Sequence, residues 1–548
     1  MRVELESIHL NHDPTSKTTG AFSIRRNEKC PIVRPEWRRD ISLRPEDAPA
    51  AYAYELVENI AITIQAELSC DDPSVKTLFV RARDGYLNPK KRSIGNHLRK
   101  MLTPLARESL TTNVLGSAPK TEVTFVNGKG MATLLLRDVK ICEVGVSVSD
   151  VIWNWQYSLD GNDWEDLVTS LHRVYTVVNI PFSPWQPASR DIDNTQLPWT
   201  EALDFACRAA ASAKDVTAAA TQITQWVSRL GNGFIRYDVE GNGPPAFAFE
   251  RGPRFDLTQF LLLLNGGTPL LGVLVNCDDC SAIVTSFSNI LGCLLGEGEM
   301  GEDSFKLKPH LRVGVPKVLT SNFSRHNVSW LGLCTADDPV FDACVRFDFD
   351  PDPKRERWAV ATSISFREYR PLLTDDAKNC TPQGRRLDRK IGGLSFPFEA
   401  LYPHEFGPAA QVVNALKSEA KLFRDPELSN LRLIQTTLVK YLLQSFWRSR
   451  KEIGVTYCLD TYECGSAEAV RTLVDELLSS FNLRPDKVED PTVGNEMYAS
   501  KNRSSIVFVR GQFVLLTRNT GRKTSSSEDL AKKIDELFTN QQVATEGA

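Results

Sequence analysis

Val275-Asn276-Cys277-Asp278-Asp279-Cys280-Ser281-Ala282, running on into Ile283-Val284-Thr285-Ser286-Phe287-Ser288-Asn289-Ile290-Leu291-Gly292, places a cysteine where an extended or turn segment gives way to a helix. Ile283, Phe287, Ile290 and Leu294 recur at the spacing of one helix face, so the spacing predicts an amphipathic helix with Cys277 at or just before its N-terminus. The free N–H groups and the positive end of the helix dipole favour a thiolate over a thiol at such a position. That is the setting of a cysteine nucleophile, which needs a base to take its proton and a group to orient that base.

The chain has seven histidines, and only His310 and His326 lie shortly downstream of Cys277 in the same candidate domain. His326 opens the strand-like run His326-Asn327-Val328-Ser329-Trp330-Leu331, and Asp342 lies on the next one, Val340 to Phe347. If the two strands pair as a hairpin, their side chains become neighbours, and Cys277, His326 and Asp342 form a triad. Spacing alone leaves plainer readings open. A lone cysteine is commonly a small buried hydrophobe, a lone histidine a satisfied core residue and an aspartate a turn residue, and His310 is a rival base.

The segment from about 198 to 365 resembles the core of the transglutaminase-like cysteine enzyme superfamily, including its bacterial protease-like branch. In that family the catalytic cysteine starts a helix, an acidic residue often stands at the next position but one, a small residue follows, and a Leu-Gly pair closes the helix. Cys277, Asp279, Ser281 and Leu291-Gly292 fit without gaps, with Ser281 where alanine is usual. The helical stretch Thr200–Leu230 and the Tyr237-Asp238 pair resemble what precedes the cysteine in the family. The usual His-Ala-Trp is replaced by His326-Asn327-Val328, with Trp330 displaced. The resemblance implies that Cys277 attacks an amide carbonyl of a peptide bond or a glutamine side chain. His326 then protonates the leaving amine and Asp342 holds the imidazole tautomer. Water on the thioester gives hydrolysis or deamidation, and an amine gives cross-linking. The alternative function is a catalytically inactive scaffold of the same family acting as a protein-binding module.

At 548 residues the chain is long enough for several domains, and its net charge of -4 with dispersed lysines and arginines offers no electrostatic footprint for nucleic acid or a membrane surface. The expected partner is a protein or peptide substrate, with no nucleic acid and no membrane; oligomeric state is left open. Met1 to Glu6 lacks the apolar region of a signal peptide, and no apolar run approaches the ~18 residues of a membrane span. Twelve cysteines then read as reduced thiols in a cytoplasmic protein, any export being leaderless. No cofactor and no metal are expected. Cys277-x-x-Cys280 lacks the second ligand pair of a zinc site, and Asp348, Asp350 and Asp352 lack the glycine and closing glutamate of a calcium loop. Gly296-Glu297-Gly298-Glu299-Met300-Gly301 matches a dinucleotide fingerprint but follows a helix and carries two glutamates, so it reads as a flexible loop beside the cleft.

The fold class expected is α+β and multidomain. Residues 1–190 read as a β-sandwich-like region, with an Asn127-Gly128 hairpin and the aromatics Trp153, Trp155 and Tyr157 on one strand face. The stretch Asn88 to Arg92 reads as a solvated loop, and Pro181 to Pro187 as a stiff linker. Residues 191–393 form the transglutaminase-like, papain-like α+β core, with 367–393 as loop. Residues 394–450 read as a helical connector, its helix running from about Leu428 to Trp447. Residues 451–548 form a small α+β domain with a Ser525-x-x-Glu528 capping box before its last helix.

Overall fold

The computed structural model describes the chain apart from residues 86–112, 188–193, 240–244, 250–253, 265–272, 393–430, 440–441, 450–455, 481–483, 520–524, 547–548 and scattered stretches of one to four residues. The stretch Asn88 to Arg92 lies outside the described residues. The N-terminal segment forms one ten-stranded sheet. Its strands alternate buried and exposed side chains, the pattern of a sheet with one face inward. Leu5 and Ile64 from one part of the sheet share a core with Trp153 and Trp155 from another, so the sheet curls upon itself. Asn127 and Gly128 take φ of 52° and 74° between the strands Ala118–Val126 and Lys129–Leu135, the turn that Asn-Gly predicts. Trp153, Trp155 and Tyr157 are core.

The proline-marked segment after this sheet is packed rather than a free linker. Trp185 is buried and donates from its indole N–H to the Ser286 carbonyl at 2.9 Å. Ser286 belongs to the helix Cys277–Asn289, so the segment is pinned to the back of that helix. Two helices precede it, Thr200–Ala209 and Val216–Arg229, the second capped by the Asp215 carboxylate on the Ala218 N–H at 2.7 Å. Trp226 and Phe260 meet Phe287 at ring-centroid distances of 5.1 and 5.5 Å. On the other side of the Cys277 helix lies a seven-stranded sheet. In it the strand His326–Leu331 runs antiparallel between Leu295–Met300 and Pro339–Asp348.

Several expectations are corrected here. The Cys277 helix is not amphipathic: every residue from Cys277 to Asn289 is buried, because helices cover one side and the sheet the other. Leu294 lies beyond the helix, exposed at 43 %. The glycine–glutamate run is not a loop but the strand Leu295–Met300. A Cβ on Gly298 would come within 2.3 Å of the Trp330 indole nitrogen, so that glycine serves close packing. The stretch 367–393 is not loop throughout, since it includes most of the helix Phe366–Leu373 and the strands Pro382–Arg386 and Lys390–Gly392.

The helix expected near 428–447 is instead an antiparallel pair of strands, Leu431–Val439 and Leu442–Ser449, the second paired with Thr456–Glu463. Neighbouring strands complete its backbone hydrogen bonds, and this tertiary pairing overrides local spacing. The strands join the C-terminal seven-stranded sheet. Along its strand Ser505–Arg510, Val507 and Val509 share a core with the helix Ala467–Ser480, while Ile506 and Phe508 face the helix Glu528–Glu546. That last helix starts at Glu528, so Ser525 is not its cap.

Candidate active site

Asn276 is extended and caps the Cys277 helix, its side-chain oxygen accepting from the Asp279 N–H at 3.1 Å. The Asp279 carboxylate accepts from Asn276 N–H at 3.1 Å and from the backbone N–H groups of Ala246, Phe247 and Ala248 at 2.8, 2.7 and 2.9 Å. It therefore ties the helix start to the preceding segment. Burial pushes this carboxyl up, while those four N–H bonds pull it down. All its bonds go to backbone that builds the site, which marks Asp279 as structural.

Cys277 is the first residue of the helix and is 1 % exposed. The expectation of a resting thiolate is corrected: burial pushes the Cys277 thiol well above its ordinary value, followed by the charge of Asp278, while the Asn327 backbone N–H at the sulfur acts the other way. The magnitudes explain the outcome. A helix dipole is worth about 0.3–1 kcal/mol at a surface and ~2 kcal/mol when partly buried, whereas desolvating a charge costs several kcal/mol. Asp278 accepts from the Asn327 side-chain amide and faces the Arg325 guanidinium at 4.0 Å. Both Cys277 and Cys280 are free thiols.

His326 and Asp342 meet as the hairpin implies, His326 Nε2 standing 3.0 Å from Asp342 Oδ2. Asp342 Oδ1 accepts from the N–H groups of Cys344 and Val345 at 2.7 and 3.3 Å. Its Oδ2 also accepts the Tyr369 hydroxyl at 2.7 Å. With the carboxylate acting as acceptor throughout, Nε2 carries a ring proton, which in the neutral imidazole leaves the lone pair on Nδ1. Nδ1 is buried and has no hydrogen-bond partner among the described residues. The histidine's strand, His326–Leu331, packs directly against the Cys277 helix. Phe323 covers the imidazole face at 5.1 Å, with an interplanar angle of 19°.

The rival His310 is occupied on both nitrogens. Its Nδ1 lies 2.6 Å from the Lys308 carbonyl and its Nε2 accepts from Arg312 Nε at 3.1 Å. No lone pair is left to take a thiol proton, and burial pushes this imidazole down to about 4. The Arg312 guanidinium also lies 4.6 Å over the ring of Tyr237. The Tyr237 hydroxyl is buried without a hydrogen-bond partner among the described residues, and that burial pushes the phenol well above its ordinary value. Among the described residues no group of three or more His, Cys, Asp or Glu side chains is arranged to hold a metal ion.

Tyr369 is the residue the sequence reading missed. It stands on the helix Phe366–Leu373, whose capping box is complete: Ser365 Oγ accepts from Glu368 N–H at 3.3 Å and Glu368 accepts from Ser365 N–H at 3.0 Å. Ser365-x-x-Glu368 was the available signal, and Pro371 inside the helix obscured it.

No protein-family model and no curated protein matches the chain. Among solved structures, the crystal structure of red sea bream transglutaminase is similar over 74% of this chain and 68% of its own, at a TM-score of 0.31 and 10% sequence identity. So slight a likeness assigns no function, and the candidate site stands on its own side-chain geometry.

Proposed function

We propose that the protein is a cysteine acyl-transfer enzyme, a protease or amidase of transglutaminase-like type, acting on peptide or glutamine amide bonds through a thioester on Cys277. The observation that carries the reading is the bare, buried Nδ1 of His326, whose ring is held by Asp342 on the strand that packs against the Cys277 helix. As sulfur bonds to the amide carbonyl carbon, the thiol proton passes to Nδ1. The carbonyl oxygen gains charge and meets the free N–H groups of the helix start; the buried Tyr237 hydroxyl is a candidate second donor. The C–N bond then breaks, Nδ1 returns the proton to the leaving nitrogen, and an acyl thioester remains. Water converts it to an acid and an amine converts it to a new amide. Substrate entry requires uncovering the buried Cys277, and reaching the imidazole face requires moving Phe323, which lies on it.

Incubation with glutamine-containing peptides, with and without a primary amine, tests this by mass spectrometry. Expected is ammonia release, peptide cleavage or amine incorporation, abolished by Cys277→Ala. The burial of Cys277 favours a second reading, a catalytically inactive binding module. On that reading no peptide turns over, and Cys277→Ala binds its partner as the unaltered protein does.

A further inference from the structure

The Tyr369 hydroxyl and His326 Nε2 share one acceptor, Asp342 Oδ2, at 2.7 and 3.0 Å. Oδ1 is committed to two backbone N–H groups, so neither donor can move to the other oxygen. The Tyr369 ring is fixed by an edge contact to Phe347 at 5.6 Å and 87° and by Phe366 at 6.4 Å. Burial, then Asp342, pushes the phenol well above its ordinary value, so it remains an O–H donor.

A hydrogen bond donated to a carboxylate withdraws charge from it. The more charge Oδ2 retains, the more it stabilises an imidazolium on its other side. Resting on the acyl-transfer reading above, we propose that Tyr369 is a positioning residue of this site: its hydroxyl locks Asp342 and draws off its charge, opposing proton transfer from Cys277 to His326. The step it governs is the transfer of one proton from Cys277 Sγ to His326 Nδ1, with no other bond formed or broken. The charged and titratable groups around that step are Asp278 and Cys280 from the helix, Cys344 from the Asp342 strand, His310 and Arg312 from the adjoining strand, Tyr237 under Arg312, and Cys380 beside Tyr369. Tyr369→Phe leaves all of them in place and removes only the donor.

Site-resolved alkylation of the whole protein by iodoacetamide at mildly acid pH, read by mass spectrometry at Cys277, Cys280 and Cys344, tests the inference. Loss of one hydrogen bond to a charged group is expected to speed Cys277 about tenfold in Tyr369→Phe, with Cys280 and Cys344 at their original rates. A difluorotyrosine at position 369, a stronger donor, is expected to slow Cys277. An unchanged Cys277 rate in Tyr369→Phe, or all three cysteines accelerating together as a loosened core would make them, overturns the proposal. Asp342→Asn separates the two levels. If it slows Cys277 while Tyr369→Phe changes nothing, only the role of Tyr369 fails; if Asp342→Asn also leaves Cys277 unaffected, the acyl-transfer reading fails with it.

Discussion

At the residue scale, two acidic groups of the site, Asp342 and Asp279, have opposite surroundings and should fail differently. Asp342 accepts from one imidazole, one phenol and two backbone N–H groups. Asp342→Asn should keep the fold and lower kcat/KM by on the order of 10^4-fold, because the amide no longer fixes the proton on Nε2; steady-state kinetics and a thermal melt check the two halves of that statement. Asp279 bonds only to backbone N–H groups. Asp279→Ala should cost stability, on the order of 3–5 kcal/mol by urea unfolding, since buried donors are left unpaired. The place of Cys277 at a helix start and the contact of His326 with Asp342 were legible because helix-start and hairpin spacing are local patterns. The thiol's protonation was not, because it depends on burial and on Asp278 and Asp342 around the sulfur, which no local pattern reports.

At the element scale, strands hidden in unusual composition decide the site. Leu295–Met300 carries two glycines and two glutamates, yet it pairs with the whole of His326–Leu331. Gly298→Ala should destabilise the protein by about 1–3 kcal/mol through overpacking against Trp330, lowering the midpoint of a urea titration. An unaltered midpoint would mean that the indole moves aside freely. The helices Thr200–Ala209 and Val216–Arg229 and the Asn127-Gly128 hairpin followed from periodicity and turn chemistry. The strands at 431–449 did not, because their pattern acquires meaning only through the partner strand Thr456–Glu463. The helix bearing Tyr369 was readable from its capping box, although its proline argued against it.

At the scale of the whole molecule, two buried histidines tie stability to pH. Burial pushes His172 down to about 3 and His310 down to about 4 from an ordinary 6.5. Between the ordinary and the folded value the unfolded chain binds protons that the folded chain does not, so stability rises with pH across that window and is lost on acidification. Each should remove about 2 kcal/mol on going from about pH 7 to about pH 5. Urea unfolding at both pH values checks this, and replacing both histidines by glutamine should flatten the slope relative to the unaltered chain. Among the described residues no helix is long and apolar enough to cross a membrane. The mixed helix-and-strand character was visible in where the periodicity changes, whereas the connector expected at 394–450 contributes strands to the C-terminal sheet.

The central claim is that His326 takes the proton of Cys277, and the rate of Cys277 alkylation by iodoacetamide near neutral pH measures it most directly. With His326→Ala the rate should fall at least tenfold, since the buried thiol loses its base and general-base help is worth roughly 10^2–10^4-fold. A Cys277 rate that is the same with and without the imidazole would contradict the account.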